Sequence, residues 1–452
     1  MIAQYSDSAP VPAPGMTQPV KEGELAVVVG AGSSGAAAAR LLAALGARVR
    51  LVDSNRVPEN IRAMASEKGI EILCAKHTPE QFYGASLVVC SPGVPLSALA
   101  PLLEESGNPP LIAETELALR YVREPILAVT GTSGKTTTVS LAAAMLEAAG
   151  KKVFLGGNIG TPLSDYVLDS ITGKREKADV LVLEMSSFQL QGSEHFHPRV
   201  AVLLNLSPNH LDHHKDMAEY SDAKFRIFAL QTEGDLAVLP ENLVSLFHAR
   251  GYKARIAVFA PSARFARTRL LGRHNTANAE AAFLACREFG VGEEAAIRAV
   301  ADFQPLRHRL ERAGELEGVL YVNDSKCTTV DAMHVALESF DSPVLLIAGG
   351  KFKGGDLESL TGLLRERVRA VALFGASREV FETAWKDVVP LSWHPELPAA
   401  VSRLRAMARP GDVVLLSPAT SSFDLYSNYK ARGDHFCALV RQMSEPVEEE
   451  SL

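Results

Sequence analysis

Residues 124–138 read EPILAVTGTSGKTTT, and this short stretch limits the possible folds more than any other. ILAVT at 126–130 is apolar and rich enough in β-branched residues for a strand buried on both faces. Gly131 and Gly134 free the backbone to curl, and a helix is expected from Lys135 to Ala149. A buried strand that turns on glycine straight into a helix is one half of a βαβ unit, and it calls for a mostly parallel sheet. In such a turn several N–H groups converge at a helix N-terminus, which is a cradle for phosphate. Lys135 can neutralise β- and γ-phosphates, and the Thr136 hydroxyl can hold Mg2+. The strict spacing asks for glycine where Val129 stands, so the loop is a variant. Gly131, Thr132, Ser133, Gly134, Lys135, Thr136 and Thr137 are therefore read as an ATP-binding loop.

Two further α/β units flank this one. Upstream, LAVVV (25–29), RVRLVD (48–53) and SLVVC (86–90) read as strands, with an Ala/Leu-rich helix running to Gly46. Gly30-x-Gly32-x-x-Gly35 lies between the first strand and that helix, and Asp53 ends the next strand. This is the spacing of a dinucleotide fingerprint, with phosphates at the helix N-terminus and an acid near the ribose. It points to a nucleotide ligand without specifying NAD. Around the central loop, VLVLE (180–184), VAVLLNL (200–206), LAVL (236–239) and IAVFA (256–260) continue a buried sheet, and a helix is expected over 272–290. Downstream of a linker at 303–309, LYVND (320–324), VLLIAGG (344–350), VALFG (371–375) and VVLLS (413–417) form a third series. The expected fold is α/β in three domains: a Rossmann-like domain over 24–121, a central P-loop ATPase-type parallel sheet over 122–306, and a Rossmann-like C-terminal domain over 307–452. Residues 1–23 are rich in Pro, Ala and Ser and are expected to be a disordered extension.

The 452 residues are 47% hydrophobic with a net charge of −7, which speaks against a nucleic-acid-tracking surface. The five cysteines are scattered, with no CxxC pair. That disfavours a disulfide framework or a structural zinc site and suits a reducing cytoplasm. The N-terminus lacks a signal peptide's basic start and apolar middle, and no apolar run reaches the ~18 residues needed to insert in a membrane. A cytoplasmic monomer acting on small molecules is the expectation.

Several strand ends carry polar residues. Glu184 closes an apolar strand beside the phosphate loop, where an acid completes a Mg2+ site in P-loop proteins; a solvated strand-end acid is the plainer alternative. In NLSPNHLDHH (205–214), His210 can ligate a metal or be structural in equal measure. Lys224 reads by itself as an amphipathic-helix lysine. NDSKCT (323–328), GGKFKG (349–354) and SPATSSF (417–423) follow strands of the third series, where open sheets bind ligands. Their cations suit an anionic substrate, though each also reads as a plain βα loop.

Taken together, TGTSGKTTT (130–138), GNIG (157–160), LEMSSFQL (183–190), NLSPNHLDHH (205–214), AKFR (223–226), GRHNTANAEAA (272–282), HRLE (308–311), NDSKCTT (323–329), GGKFKGGD (349–356) and LLSPATSSFDLY…RGDHF (415–436) resemble the Mur ligase family over essentially everything after residue 23. Within it they look like the D-glutamate-adding branch. The DNPR-type motif of the diaminopimelate/lysine-adding branch is not found, and Ser133 stands where the alanine-adding branch has histidine. Ser133 also replaces a common asparagine, and Lys351 an acid found in some relatives.

The resemblance implies an ATP-driven amide bond between the L-alanine carboxylate of UDP-N-acetylmuramoyl-L-alanine and the amine of D-glutamate, formed through an acyl phosphate in cytoplasmic peptidoglycan precursor synthesis. It assigns Gly32, Ser33 and Ser34 to the UDP diphosphate, Asp53, Ser54 and Asn55 to the uridine side, and Asn158, Ser186 and Gln189 to the muramoyl-alanine part. It places His274, Asn278, Arg309 and Asp324 around ATP, and Thr328, Lys353, Ser422 and Phe423 around D-glutamate. Thr136, Glu184, His210 and Lys224, the last as a carbamate, would serve two Mg2+ ions, and Lys135 the transferring phosphoryl group. The competing readings are another member of the superfamily, such as a folylpolyglutamate synthetase, and an NAD-binding oxidoreductase built on the first domain.

Overall fold

The computed structural model describes residues 20–92, 94, 96–208 and 214–444. Three sheets run in sequence order. The first contains β1 (Leu25–Val29), β2 (Arg48–Asp53), β3 (Glu71–Cys74), β4 (Ala85–Cys90) and β5 (Leu111–Ala113) in the order β3-β2-β1-β4-β5. The second contains β6 (Ile126–Thr130), β7 (Val153–Gly157), β8 (Val180–Glu184), β9 (Val200–Leu203), β10 (Leu236–Pro240) and β11 (Arg255–Phe259) in the order β11-β10-β9-β6-β8-β7. Every pairing in these two sheets is parallel. The third contains β12 (Glu311–Leu316), β13 (Val319–Asn323), β14 (Val344–Gly349), β15 (Val368–Phe374), β16 (Leu391–His394) and β17 (Val413–Leu416) in the order β12-β13-β17-β14-β15-β16. Only its β12–β13 pair is antiparallel. The expected α/β fold with three sheet domains is what forms.

The physical reason is burial on two faces. Every residue of β6, β8, β9 and β14 is buried, because helices cover both sides of a parallel sheet. The helix after the phosphate loop is Lys135–Ala148, one residue short of expectation and within ordinary end fraying. The helix expected over 272–290 spans Arg273–Arg287.

By contact the chain divides into two compact units: residues up to Ala260 together with Asn278–Val300, and Pro261–Ala277 together with everything from Ala301 onward. The first unit holds the first and second sheets over one shared apolar core that includes Leu41, Leu117, Tyr166 and Leu183. Buried acids lock these sheets together. Glu114 accepts from the Ser164 backbone N–H at 2.8 Å. Glu116, fully buried, accepts from the N–H groups of Glu194 and His195 at 2.9 and 3.1 Å. Arg40 grips Asp165 with two nitrogens, at 2.8 and 3.1 Å, a fork geometry that fixes orientation as well as distance. The second unit packs its sheet between two apolar layers, one with Trp385 and Phe381, the other with Phe436 and Val401.

Candidate active site

Strand order decides which loops meet. In the second sheet β6 lies between β9 and β8, so the loop after β6 is flanked by whatever follows those two strands. Gly131 and Gly134 carry φ of +149° and +84°, a region L side chains avoid. A Cβ on Gly134 would also lie 2.7 Å from the Asn278 side-chain oxygen. From the β9 side, Asn205 accepts from Ser133 N–H at 2.9 Å and donates to Ser133 O at 3.1 Å, so one amide brackets the loop. Thr132 Oγ1 and the Tyr220 hydroxyl lie 3.1 Å apart. Asn205 and Tyr220 had no role assigned from sequence. The signal that could have found Asn205 is its place just beyond a buried strand beside the loop.

From the β8 side comes Glu184, only 2% exposed. Its Oε2 accepts from Thr136 Oγ1 at 2.8 Å and its Oε1 from Asn158 Nδ2 at 2.8 Å. Lys135 Nζ folds back onto the loop, donating to Gly131 O at 2.7 Å and Thr132 O at 2.9 Å. Lys224, on the helix Met217–Phe225, reaches the same Gly131 carbonyl at 2.9 Å and lies 4.7 Å from the Tyr220 ring centre. It is 2% exposed. Burial pushes its ammonium well below the ordinary lysine range, the Lys135 charge pushes the same way and Glu184 opposes. Thr137 is half-buried beside Thr136. His210 lies outside the described residues.

A cleft of about 760 Å³ opens where the first and second sheets meet. Gly32, Ser33, Ser34, Asp53, Ser54, Asn55, Asn158 and Gln189 all line it, so eight of the residues assigned to the UDP-substrate share one cavity. It sits beyond the ends of β1 and β4, where the strand order reverses. The helix Ser33–Ala44 starts there with no side-chain cap on Gly32, leaving its N-terminal N–H groups for a ligand. A Cβ on Gly35 would lie 1.8 Å from Gly30 O, so the close helix–strand approach requires glycine there. Asp53 Oδ2 accepts from Ala31 N–H at 2.6 Å and Oδ1 from Asn55 N–H at 2.7 Å. Ser186 caps the short helix Ser187–Gln191 in a reciprocal box with Gln189. That leaves Gln189 Nε2 buried without a hydrogen-bond partner in a residue that is 1% exposed. An orphaned buried donor is costly, and here it lies on the cleft wall, suited to an acceptor on a ligand.

In the second unit the loops after β13, β17 and β14 are neighbours because those strands are. Backbone bonds between Lys351 and Ser421 at 3.0 and 3.1 Å join two of the loops. They bring Lys353 Nζ to 5.8 Å from the centre of the Phe423 ring, which is 65% exposed. Ser422 is buried beside it. Thr328 immediately precedes Thr329, the cap of the helix Val330–Glu338. Arg432, fully buried, donates to Ser325 Oγ at 2.9 Å, Ser325 O at 2.8 Å and Thr420 O at 3.1 Å, and so braces two of these loops from below. Sequence reasoning assigned it no role, since a buried arginine looks like any helix arginine in one dimension.

Asp324 points inward. It accepts from Ser417 Oγ at 3.0 Å and Leu310 N–H at 3.2 Å, and burial pushes its carboxyl up to about 7. Arg309 lies just ahead of Leu310, half-buried. His274 Nδ1 is 3.3 Å from Ser339 Oγ, and burial pushes its imidazole down to about 4.

Three family models match the chain: a MurD-like N-terminal domain of Mur ligases over residues 24–106, the Mur ligase middle domain over 129–264, and the Mur ligase glutamate ligase domain over 308–420. The UDP-N-acetylmuramoylalanine–D-glutamate ligase of Oleidesulfovibrio alaskensis is 60% identical over 420 residues, 92% of this chain and 94% of that protein. Its counterpart from Lawsonia intracellularis is 50% identical over 419 residues, again 92% and 94% of the two chains. Among solved structures, the Thermotoga maritima MurF ligase in complex with ADP has a TM-score of 0.56 at 18% identity, covering 94% of this chain and 96% of that one. The UDP-N-acetylmuramate–alanine ligase of the same organism has a TM-score of 0.56 at 17% identity, covering 93% and 99%. These two establish likeness of fold.

Proposed function

The chain belongs to the Mur ligase family, and from that premise we propose that it uses ATP to join the L-alanine carboxylate of UDP-N-acetylmuramoyl-L-alanine to the amine of D-glutamate. The observation that carries this reading is the shared carboxylate Glu184. One of its oxygens is held by Thr136 of the phosphate loop and the other by Asn158 of the cleft wall. The phosphoryl donor and the carboxylate that receives the phosphoryl group would therefore meet across one side chain. A carboxylate is a poor acyl donor. Attack of its oxygen on the γ-phosphorus, with ADP leaving, makes an acyl phosphate. The D-glutamate amine then adds to the acyl carbon, loses a proton and expels phosphate. Lys135 at the loop supplies positive charge where the transferred phosphoryl group would lie.

Thr136 and Glu184 offer hard oxygen ligands 2.8 Å apart, a donor set that fits Mg2+. Bound there, the ion would neutralise phosphate charge. Lys224 and His210 complete the proposed set. Burial favours the neutral amine of Lys224, the form that adds to carbon dioxide; the new N–C bond releases one proton and leaves an anionic carbamate. Gln189 Nε2 would donate to the muramoyl-alanine part, and the uncapped helix at Ser33 and Ser34 would hold the diphosphate. Asn278, His274, Arg309 and Asp324 are assigned to ATP, and Thr328, Lys353, Ser422 and Phe423 to D-glutamate. A UDP-linked substrate fits a protein working in the cytoplasm, and no helix of the described residues is long and apolar enough to cross a membrane.

Phosphate release from ATP, measured with UDP-N-acetylmuramoyl-L-alanine and a panel of amino acids, tests the assignment. Release is expected with D-glutamate. Release with L-glutamate, L-alanine or a diamino acid but not D-glutamate would overturn it.

A further inference from the structure

The cleft has two titratable lining residues, Asp53 and His77, and no role yet accounts for His77. It follows β3, and β3 runs parallel to β2. The two strand ends stay joined past the sheet: Ala75 N–H donates to Asp53 O at 3.0 Å and the Cys74 thiol to Asn55 O at 2.7 Å. These bonds lay residues 75–77 alongside Asp53, Ser54 and Asn55. The first helix start is on β1, two strand spacings away, or about 9.5 Å. That is the reach of a nucleoside extending from a diphosphate held at Ser33 and Ser34.

The proton on His77 is determined by its neighbours. Gln81 is 7% exposed, and two backbone groups fix which end of its amide is oxygen. Thr78 N–H, which can only donate, points at Gln81 Oε1 (3.4 Å), while Gln81 Nε2 donates to Lys76 O (3.3 Å), which can only accept. His77 Nδ1 lies 3.3 Å from that same Oε1. An acceptor there requires a proton on Nδ1. In a neutral imidazole Nε2 is then left with a lone pair.

We propose that His77 Nε2 accepts a hydrogen bond from the N3–H of the uracil ring and so selects the base of the nucleotide substrate. The inference rests on reading the cleft as the UDP site. Uracil carries a donor at N3 where cytosine carries a lone pair. A histidine locked as an acceptor therefore favours the first and faces an unpaired lone pair with the second, the kind of mismatch that discriminates strongly. Gln81 acts through His77 as a positioning residue.

Titration calorimetry on the full chain with UDP, CDP, N3-methyl-UDP and 2′- and 3′-deoxy-UDP tests this. The native protein is expected to bind UDP about tenfold more tightly than CDP or N3-methyl-UDP, one hydrogen bond's worth. In His77→Ala both preferences should fall to about one, and Gln81→Met should lower them by a smaller factor, with unchanged melting temperatures showing that both variants fold. If His77→Ala keeps the native penalty for CDP and N3-methyl-UDP, or removes a penalty for the deoxyribose analogues instead, the assignment to the base is overturned. Ser34→Glu puts a carboxylate where the diphosphate would lie. Its failure to weaken UDP binding would sink the reading of the cleft itself, whereas weakened binding with an unchanged His77→Ala profile sinks only the role of His77.

Discussion

The molecule uses one backbone device twice, and the two copies differ in their side chains. After β1 and again after β6, a strand turns on glycine into a helix whose N-terminus has no side-chain cap. The first copy lines its cleft with serine, asparagine, aspartate, histidine and glutamine, and with no lysine or arginine among the described residues. The second copy carries two lysine side chains on one carbonyl, Lys135 and Lys224 on Gly131 O, and a buried carboxylate on its threonine. Backbone N–H groups are enough to hold a diphosphate that does not react. Moving a phosphoryl group needs charge placed beforehand where charge will develop. The first loop is therefore suited to recognition and the second to chemistry.

Substitutions in the two loops should separate these roles. Lys135→Ala is expected to lower turnover roughly a thousandfold, within the range for removing a cation from a phosphoryl-transfer site, with UDP affinity by calorimetry unchanged. A matching loss of UDP affinity would show that the loops do not divide the work. Glu184→Gln keeps shape and removes charge, so steady-state assays should show about a hundredfold loss in kcat while Asn158 and Thr136 keep their partner. Gly35→Ala acts on the other copy. A methyl aimed at the Gly30 carbonyl from 1.8 Å should cost about 2 kcal/mol of stability, seen as a lower urea midpoint, and should weaken UDP more than ATP.

The smallest effect concerns Lys224. Its pKa is held below the ordinary lysine value in the folded chain, so the unfolded chain binds more protons below that range. Stability should therefore rise with pH there and fall as pH falls towards the folded pKa. In carbon-dioxide-free buffer, Lys224→Met should flatten the rise in urea midpoint between about pH 7 and pH 9 and gain roughly 1 kcal/mol at pH 7, since functional sites often sacrifice stability. An unchanged slope would mean that the buried amine carries no such cost.

Strands buried on both faces could be read directly, because a continuous apolar run has few other uses. LAVVV, ILAVT and VLVLE begin and end where the structure puts β1, β6 and β8, and the half-buried RVRLVD coincides with β2 as well. The strands that escaped notice are mostly short ones at sheet margins: β3 (EILC), β5 (LIA), β7 (VFLGG), β12 (ERAGEL) and β16 (LSWH). Their residues face water on one side or pack only partly, so the local pattern weakens. The antiparallel β12 had no signal at all, its direction being set by pairing with β13.

The same division holds for chemistry. Sequence alone determined the two glycine turns, the cation and threonine behind the second, and the acid ending the next apolar strand, because each depends on residues adjacent in the chain or on a buried strand's period. Tertiary structure decided which of these touch. Strand order put Glu184 and Asn205 on either side of one loop, the capping box left the Gln189 amide orphaned in the cleft, and Gln81 set the tautomer of His77. The contacts of Glu184 and Asn205 with that loop join residues 48 and 72 positions apart. They arise only when the sheet closes, since nothing in the neighbouring residues specifies which strand will lie alongside.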